Sequence, residues 1–209
     1  MYTARNAVRS LVLWLTLAAT LAALGGCLGK SPPARFYLLG TQAAAPSREA
    51  PCIGLGIGPV DFPAYLDRTQ IVTRIGANRI QMAEFDQWAE PLSDAFPRLL
   101  AEVLGSKLCA EPLLLYPWPT GAEPEYSVAV QVLSFDGDLG KTATLHASWS
   151  LLDASGKALL WRTASYSAPA AGGEYAAYAA ALSDCIGALG QDIAQALQSA
   201  RTTRHDAAR

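Results

Sequence analysis

The residues that most often perform catalysis are sparse in this sequence and poorly placed for it. Its two histidines, His146 and His205, stand far apart, and neither has a cysteine or carboxylate cluster beside it, so the usual zinc spacings are absent. Four carboxylates precede or begin a predicted helix, where negative charge suits the helix dipole better than an acid–base pair. They are Glu84, Asp86, Glu90 and Asp94. We therefore predict no catalytic residue, no metal site and no cofactor, and a protein that is not an enzyme.

A run of alternating glycines, IGLGIGPV at residues 53–60, is a second possible site. Gly54, Gly56 and Gly58 superficially resemble a phosphate-binding turn. However, Pro59 and Pro63 follow them where such a turn requires a helix. The alternation instead predicts a strand with its aliphatic side chains on one face. The bare glycine face indicates that another part of the chain approaches this strand closely.

Cys27 has the sequence context of a lipid attachment site. Arg5 and Arg9 precede an uncharged apolar run over residues 11–24, which is shorter than the roughly 20 residues of a membrane-spanning helix. The run ends in Leu24-Gly-Gly-Cys27, which resembles the lipobox of bacterial lipoproteins. We predict that residues 1–26 are a signal peptide and that Cys27 is the lipidated first residue of the mature protein. A cleaved soluble signal and an uncleaved short anchor are the alternatives.

The residue after Cys27 predicts the membrane to which the protein is attached. Lipoproteins with aspartate at this position tend to stay in the inner membrane, whereas this chain has Leu28. We therefore predict a lipid anchor in the periplasmic leaflet of the outer membrane. Several acyl chains hold such an anchor durably.

Three cysteines, Cys52, Cys109 and Cys185, remain for an oxidising compartment. A helix that follows a strand and packs on its sheet usually runs back antiparallel to that strand. The helix end near Cys109 should therefore lie close to the strand start at Cys52, and we predict a disulfide between them. Cys185 lies on the apolar stripe of the last predicted helix, where a free cysteine serves as a small hydrophobic residue.

Hydrophobic periodicity predicts the elements of the fold. Apolar residues at spacings of three and four predict helices over residues 88–107 and 174–197. Strands are predicted at residues 53–60 and 113–116, a hairpin over 71–82 that turns at residues 76–78, and a meander of three strands over 126–167. A bulge is predicted where the apolar phase shifts after Val132. We expect an α+β fold, a two-layer sandwich in which a mainly antiparallel sheet carries two long helices packed on one face.

The composition predicts four consecutive regions. Residues 1–26 are the signal peptide, and residues 27–51, small, polar and proline-punctuated, are a lipidated tether. Residues 52–200 form a single α+β domain, and residues 201–209 are a flexible tail. Within the tether, the segment FYLL has residue types that also suit an edge strand.

Charge and hydrophobic content exclude two further classes of protein. The chain has 209 residues, of which 51% are hydrophobic, enough to bury one core, so it is not a disordered or fibrous protein. Its 16 basic and 18 acidic residues give a net charge of −2. Such a balance lacks the basic surface that binding to phosphate backbones requires, so we predict no nucleic-acid partner.

Two places in the predicted fold are candidate contact surfaces. The sheet face opposite the helices is polar over residues 142–150, and Thr144 and His146 are its candidate contact residues. A solvated sheet face is the alternative there. Trp118, in a loop between two prolines, is the third candidate, unless its side chain covers the core.

Several segments resemble, in their order and spacing, the PqiC family of ABC-transport auxiliary lipoproteins. They are the lipobox, RFYLL at residues 35–39, GPVDFPAYLDRTQIVTR at 58–74, WAEPL at 88–92, residues 128–135, ASW at 147–149 and the tyrosine-bearing C-terminal helix. The resemblance implies a subunit of an intermembrane lipid-transport system and implies no catalysis. In such a system an inner-membrane protein and a chain of MCE domains bridge the periplasm towards an outer-membrane lipoprotein.

The resemblance also implies partners. These are an MCE-domain periplasmic protein similar to PqiB, and outer-membrane lipid. A tube-like partner needs an axial mate, and heterologous contacts that close by rotation form rings, so we expect a homo-oligomeric ring. A general envelope-scaffolding lipoprotein and a periplasmic hydrolase with an unrecognised site are the alternatives.

Overall fold

A computed structural model describes Trp14, residues 31–40 and residues 52–207 of the chain. The unit considered below begins at Ala34. Cys27 and the predicted tether segment 41–51 lie outside the described residues. The elements in chain order are β1 (Arg35–Tyr37), β2 (Ile53–Asp61), β3 (Gln70–Gly76), β4 (Arg79–Trp88), α1 (Leu92–Lys107), β5 (Ala110–Leu115), β6 (Tyr126–Asp138), β7 (Thr142–Asp153), β8 (Ala158–Pro169) and α2 (Tyr175–Ala207).

The main sheet has five strands in the order β5-β2-β6-β7-β8. Strands β6, β7 and β8 form an antiparallel meander, as the sequence predicts. Strand β2 lies between β5 and β6 and is parallel to both, which the sequence does not predict. Parallel neighbours need long crossover connections, and the chain between β2 and β5 supplies one that includes α1. The predicted bulge is confirmed by a register shift between Val132 and Ser134.

Strands β1, β4 and β3 form a second, three-stranded sheet. The expectation of one sheet containing residues 71–82 is therefore wrong. The register of β2 on β6 shifts between Ile57 and Val60, around Pro59, which has no N–H to donate. The chain leaves the main sheet after Asp61, and β3 pairs with β4 through the predicted hairpin. Strand β1 pairs in parallel with β4, so residues 35–37 belong to the fold.

Both long helices pack on one face of the main sheet. Helix α1 lies over β2 and β5, α2 lies over β7 and β8, and the two helices contact each other. Phe96 of α1 is fully buried, with its ring centroid 5.4 Å from that of Phe62 and 5.7 Å from that of Phe135. The α+β sandwich that the sequence predicts is therefore confirmed, although its sheets are mixed.

Helix α1 is shorter at its start than predicted. Trp88 ends β4, where its N–H donates to the carbonyl of Thr69, and α1 begins at Leu92 after the extended Pro91. Trp88 and Leu92 are four residues apart, a spacing that suggests a helix, but Trp88 belongs to β4 and Leu92 to α1. Both side chains are buried, which explains why the pattern looks continuous. The helix continues through Pro97, without the restart that a proline can cause.

Helix α2 is longer than predicted and extends to Ala207. It therefore includes residues 201–207, for which the sequence predicts a flexible tail. The guanidinium carbon of Arg204 lies 5.7 Å from the ring centroid of Tyr126. The Nη1 of Arg204 also donates to the Tyr126 hydroxyl at 3.3 Å. A cation–π contact of this kind has no signature in hydrophobic periodicity, so the sequence does not reveal it.

Candidate functional site

Two of the four carboxylates near the start of α1 are paired with different arginines. Asp86 is buried and bonded to Arg35, whereas Glu90 forms an ion pair with Arg98 of α1. His146 is half-buried on the open face of the main sheet. Within residues 31–40 and 52–207, no group of three or more metal-ligating side chains is close enough to hold an ion.

Residues from three elements meet at one end of the unit. The ring of Tyr37, from β1, lies 6.4 Å from that of Tyr175 at the start of α2. In the turn between β6 and β7, a Cβ on Gly140 would lie 3.3 Å from the Cα of Gly173. The chain enters the folded unit at Ala34, just before β1. We call this the anchor end, defined by Ala34, Gly140 and Tyr175.

A buried carboxylate holds β1 in place at the anchor end. Arg35 donates from Nη2 to Asp86 at 2.9 Å, and the Tyr37 hydroxyl donates to the same carboxylate at 2.7 Å. Burial alone would raise the pKa of Asp86, but the hydrogen bonds from Arg35 and Tyr37 outweigh it and hold the pKa below its ordinary value. Leu39 is buried, and the Gly40 N–H donates to Ser183 of α2. The segment 35–40 is therefore fixed to the domain.

The depressed pKa of Asp86 predicts an acid-sensitive contact. Because the folded-state pKa lies below the unfolded value of about 3.9, the carboxylate stabilises the fold above that value and loses its contribution as the pH falls further. Asp86→Asn should cost about 1–3 kcal/mol of unfolding free energy at pH 6. Denaturant titrations of both proteins should show this difference shrinking below pH 4. A difference that grows on acidification would contradict the assignment.

A second buried carboxylate joins the two sheets. Asp136 on β6 accepts from Nε and Nη2 of Arg74 on β3 at 2.7 and 2.8 Å, and from the Tyr65 hydroxyl at 2.6 Å. Tyr65 and Arg74 both lie in the segment 58–74 that resembles the PqiC family. That segment therefore contains structural residues that fix β3 against the main sheet.

The opposite end of the unit contains the starts of β2 and β6 and the end of α1. Tyr126 is in register with Leu55 on one side and with Asp153 on the other. Ile53 is in register with Ala110. We call this the far end, defined by Cys109, Tyr126 and Asp153. It is separated from the anchor end by the 13 residues of β6, or about 40 Å at roughly 3.3 Å per residue.

Cys52 and Cys109 form a disulfide at the far end, with their Cα atoms 4.5 Å apart. The Ile53 N–H donates to the Cys109 carbonyl at 2.9 Å, so the backbones are held together beside the sulfurs. Cys185 is buried and free. Burial raises the pKa of its thiol to about 11, so it is poorly reactive at neutral pH.

The loop after β5 covers the glycine face of β2. A Cβ on Gly56 would lie 2.7 Å from the Cη2 atom of Trp118 and 2.9 Å from the Cγ atom of Pro124, closer than real Cβ atoms approach. The close approach predicted for this strand is therefore confirmed. Trp118 is half-buried and meets Tyr116 edge-on at 5.4 Å, while Tyr116 itself is 56% exposed.

The structure separates the three contact residues that the sequence proposes. Trp118 lies at the far end, over Gly56. Thr144 lies near the anchor end, where its hydroxyl is 3.5 Å from that of Ser167, and His146 is in register with Ser134 and Ser165 further along β7. They do not form one site.

A more exposed aromatic residue, Trp161, was not identified from the sequence. It lies on β8 in register with Ser150, and its side chain is 70% exposed. Ser150 belongs to the polar row of β7, so the register places Trp161 on the open face of the sheet. Its face follows from the register between β7 and β8, which the sequence does not reveal.

Among the described residues, no helix combines the length and apolar character that a membrane span requires. Residues 37–194 match the family model of the ABC-type transport auxiliary lipoprotein component. No curated protein matches the sequence.

Two crystal structures share the fold. The protein XCC0632 from Xanthomonas campestris has a TM-score of 0.67 at 18% identity, over 84% of this chain and 100% of its own. An uncharacterised protein has a TM-score of 0.64 at 19% identity, over 79% of this chain and 99% of its own. At such identities the likeness is one of fold. Because the family model covers most of the folded unit, the chain belongs to the family of ABC-type transport auxiliary lipoprotein components.

Proposed function

We propose that this protein is the outer-membrane lipoprotein of an intermembrane lipid-transport system of the PqiABC type. Its role would be to dock a periplasm-spanning MCE-domain protein, similar to PqiB, at the outer membrane and so support envelope integrity. The protein performs no chemistry of its own. Family membership supports the transport role, and the sequence of the anchor supports the location.

The proposal rests on one observation, that the two ends of the folded unit differ in what they present. The chain leaves towards Cys27 from the anchor end, whereas Trp118 lies over Gly56, in register with Ser127 near the far end, about 36 Å away at roughly 3.3 Å per residue of β6. Trp161 lies on β8 three residues from the end of that strand near the far end. A lipid anchor at one end and aromatic side chains towards the other suit a molecule that stands between a membrane and a partner.

Several copies would surround the axis of the partner. A tube of MCE domains presents a circular rim, and a ring of identical subunits matches it by symmetry. Outer-membrane lipid would be received at or near the anchor ends of the copies. A general envelope scaffold shares the anchor but would not bind an MCE-domain protein, and a hydrolase would turn over lipid esters.

Cys27→Ser should release the protein from the membrane or leave an unprocessed precursor. The reason is that the sulfur of Cys27 is the predicted attachment point of the lipid. Membrane fractionation and the mass of the intact protein measure both outcomes. Cys185→Ser is the matched control and should leave both unchanged. If Cys27→Ser keeps the mature mass and stays in the membrane fraction, the lipoprotein assignment is wrong.

Trp161→Ala should weaken binding to the periplasmic part of the MCE-domain partner by about 30-fold, since truncating a tryptophan hot spot costs about 2 kcal/mol. Trp161 suits this test better than Trp118, because its exposed side chain contributes little to the fold. Thr144→Ala is the control and should bind normally, because the structure places this candidate beside Ser167 near the anchor end, away from Trp161. Native mass measurement of the mature protein, with and without the partner, reports both the copy number and the complex. A strictly monomeric protein that never binds the partner would favour the scaffold or the hydrolase.

A further inference from the structure

Two apolar side chains at the anchor end have no partner surface within the described unit. Phe36 is 64% exposed and Leu38 is 60% exposed, whereas Tyr37 is half-buried and Leu39 is buried. This alternation turns Phe36 and Leu38 to the same outer side of the segment. The segment is fixed to the domain by the Asp86 contacts and by the bond from Gly40 to Ser183. Both apolar side chains are therefore held outward on a rigid support.

The length of chain before this segment limits how far it can stand from the lipid. Seven residue steps separate Cys27 from Ala34, and at about 3.6 Å per step they span at most about 25 Å. Helix α2 alone, with 33 residues, is about 50 Å long at 1.5 Å per residue. A lipid on Cys27 thus keeps the anchor end near the bilayer, whereas the far end can stand away from it.

The charges of the same segment suit a lipid surface. From Cys27 to Arg48 the sequence has no acidic residue, and it includes Lys30 and Arg35. Basic residues beside a membrane are attracted to anionic headgroups. Arg35 is paired with Asp86, and Glu174, just before α2, also acts on it, so Arg35 adds little net charge at the surface. The segment therefore combines exposed apolar residues with Lys30 as the basic group close to the predicted lipid anchor.

We infer that Phe36 and Leu38 form a membrane-docking pair, which inserts into the periplasmic leaflet of the outer membrane beside the lipid anchor. The inference rests on the lipid anchor of the proposed function. The pair needs little affinity of its own, because the short tether gives it a high effective concentration at the bilayer. Insertion fixes the orientation of the domain, so the far end points away from the membrane towards the periplasm.

A fluorescent probe on residue 38 tests the insertion. The mature lipidated protein carrying Leu38→Cys is labelled with an environment-sensitive NBD maleimide and reconstituted into vesicles of phosphatidylethanolamine and phosphatidylglycerol. The native cysteines do not compete, because Cys27 would be lipidated, Cys52 and Cys109 are bonded, and Cys185 is buried. Leu159→Cys is the matched control, since Leu159 is an exposed leucine ten residues before Pro169, about 33 Å along β8 from the anchor end.

We expect the probe on residue 38 to emit at shorter wavelength and to lose intensity when the vesicles contain a doxyl-labelled lipid. The probe on residue 159 should respond to iodide in the water instead. Adding Phe36→Ser should reduce the lipid quenching at residue 38, and the exposed position of Phe36 makes this variant compatible with folding. The vesicle-bound fraction is measured first, in the same samples.

Two results would overturn the inference. Quenching at residue 38 by iodide alone would show that the pair remains in water. Shielding from both quenchers would show that a second copy of the chain covers the free edge of β1. In either case the protein still floats with the vesicles, so the lipid anchor stands. A protein that does not float with the vesicles shows instead that the anchor itself, and with it the proposed function, is wrong.

Discussion

Removal of the disulfide between Cys52 and Cys109 should lower the free energy of unfolding by about 4 kcal/mol, because the bond closes a long loop in the unfolded chain. The separation of the two cysteines is 57 residues, and the entropic cost of closing such a loop in the unfolded chain rises with its length. The double variant Cys52→Ala, Cys109→Ala should therefore unfold at a lower denaturant concentration. Denaturant titration of the mature protein measures the change.

The double variant also provides the control for reduction. A thiol reductant should destabilise the natural protein and have no effect on the variant, since Cys185 has no partner to lose. Peptide mapping under non-reducing conditions checks the pairing directly. Recovery of Cys185 in a disulfide with either cysteine, or of three free thiols, would contradict both the geometry and the energetic argument.

Gly58→Ala should destabilise the fold by about 3–5 kcal/mol, from two effects at one position. Gly58 has a φ of +118°, a conformation that residues with a Cβ rarely adopt. The added Cβ would also lie 2.6 Å from the Cβ of Tyr116. The backbone of β2 or the loop at Tyr116 must therefore shift.

Gly76→Ala is the matched control for this substitution. Gly76 also lies in the folded unit, at the end of β3, but its φ is not positive and a Cβ there would meet nothing within 4 Å. The substitution should change the stability by less than about 1 kcal/mol. Equal losses at Gly58 and Gly76 would show that the contact between β2 and the loop has no energetic importance.

Features encoded by neighbouring residues could be predicted from the sequence. The shift of apolar phase after Val132 predicts the bulge in β6, and the alternating glycines predict the close approach on β2. The meander of β6, β7 and β8 follows from period-two alternation and short turns. Each of these depends on residues within one strand or one turn, where pattern and geometry are directly linked.

Features that depend on residues far apart in the chain could not be predicted from the sequence. Nothing in the strand pattern of residues 70–82 distinguishes an additional strand of the main sheet from a separate sheet, because both have the same alternation. Arg74 fixes β3 against the main sheet through Asp136, which is more than 60 residues away in the sequence. Such partners cannot be read from spacing in one sequence.

The exposure of the candidate contact residues could be predicted only in part. Trp118 could be named because prolines flank an exposed-looking loop, but the loop rests on Gly56 and leaves the tryptophan half-buried. Trp161 is more exposed, and its face depends on the register between β7 and β8. The anchor end could not be identified at all, since it brings together β1, the β6–β7 turn and the start of α2 from three distant parts of the chain.

The position of β2 between β5 and β6 has a consequence for folding after export. Strand β2 ends at Asp61, but β6 ends only at Asp138, 77 residues later. A chain that the predicted signal peptide exports folds in the periplasm, and there both edges of β2 are unpaired until these later segments fold. An apolar strand with unpaired edges is at risk of pairing with other chains. Glycine at positions 54, 56 and 58 lowers the strand propensity of β2, so it is a poor template for aggregation until β5 and β6 enclose it.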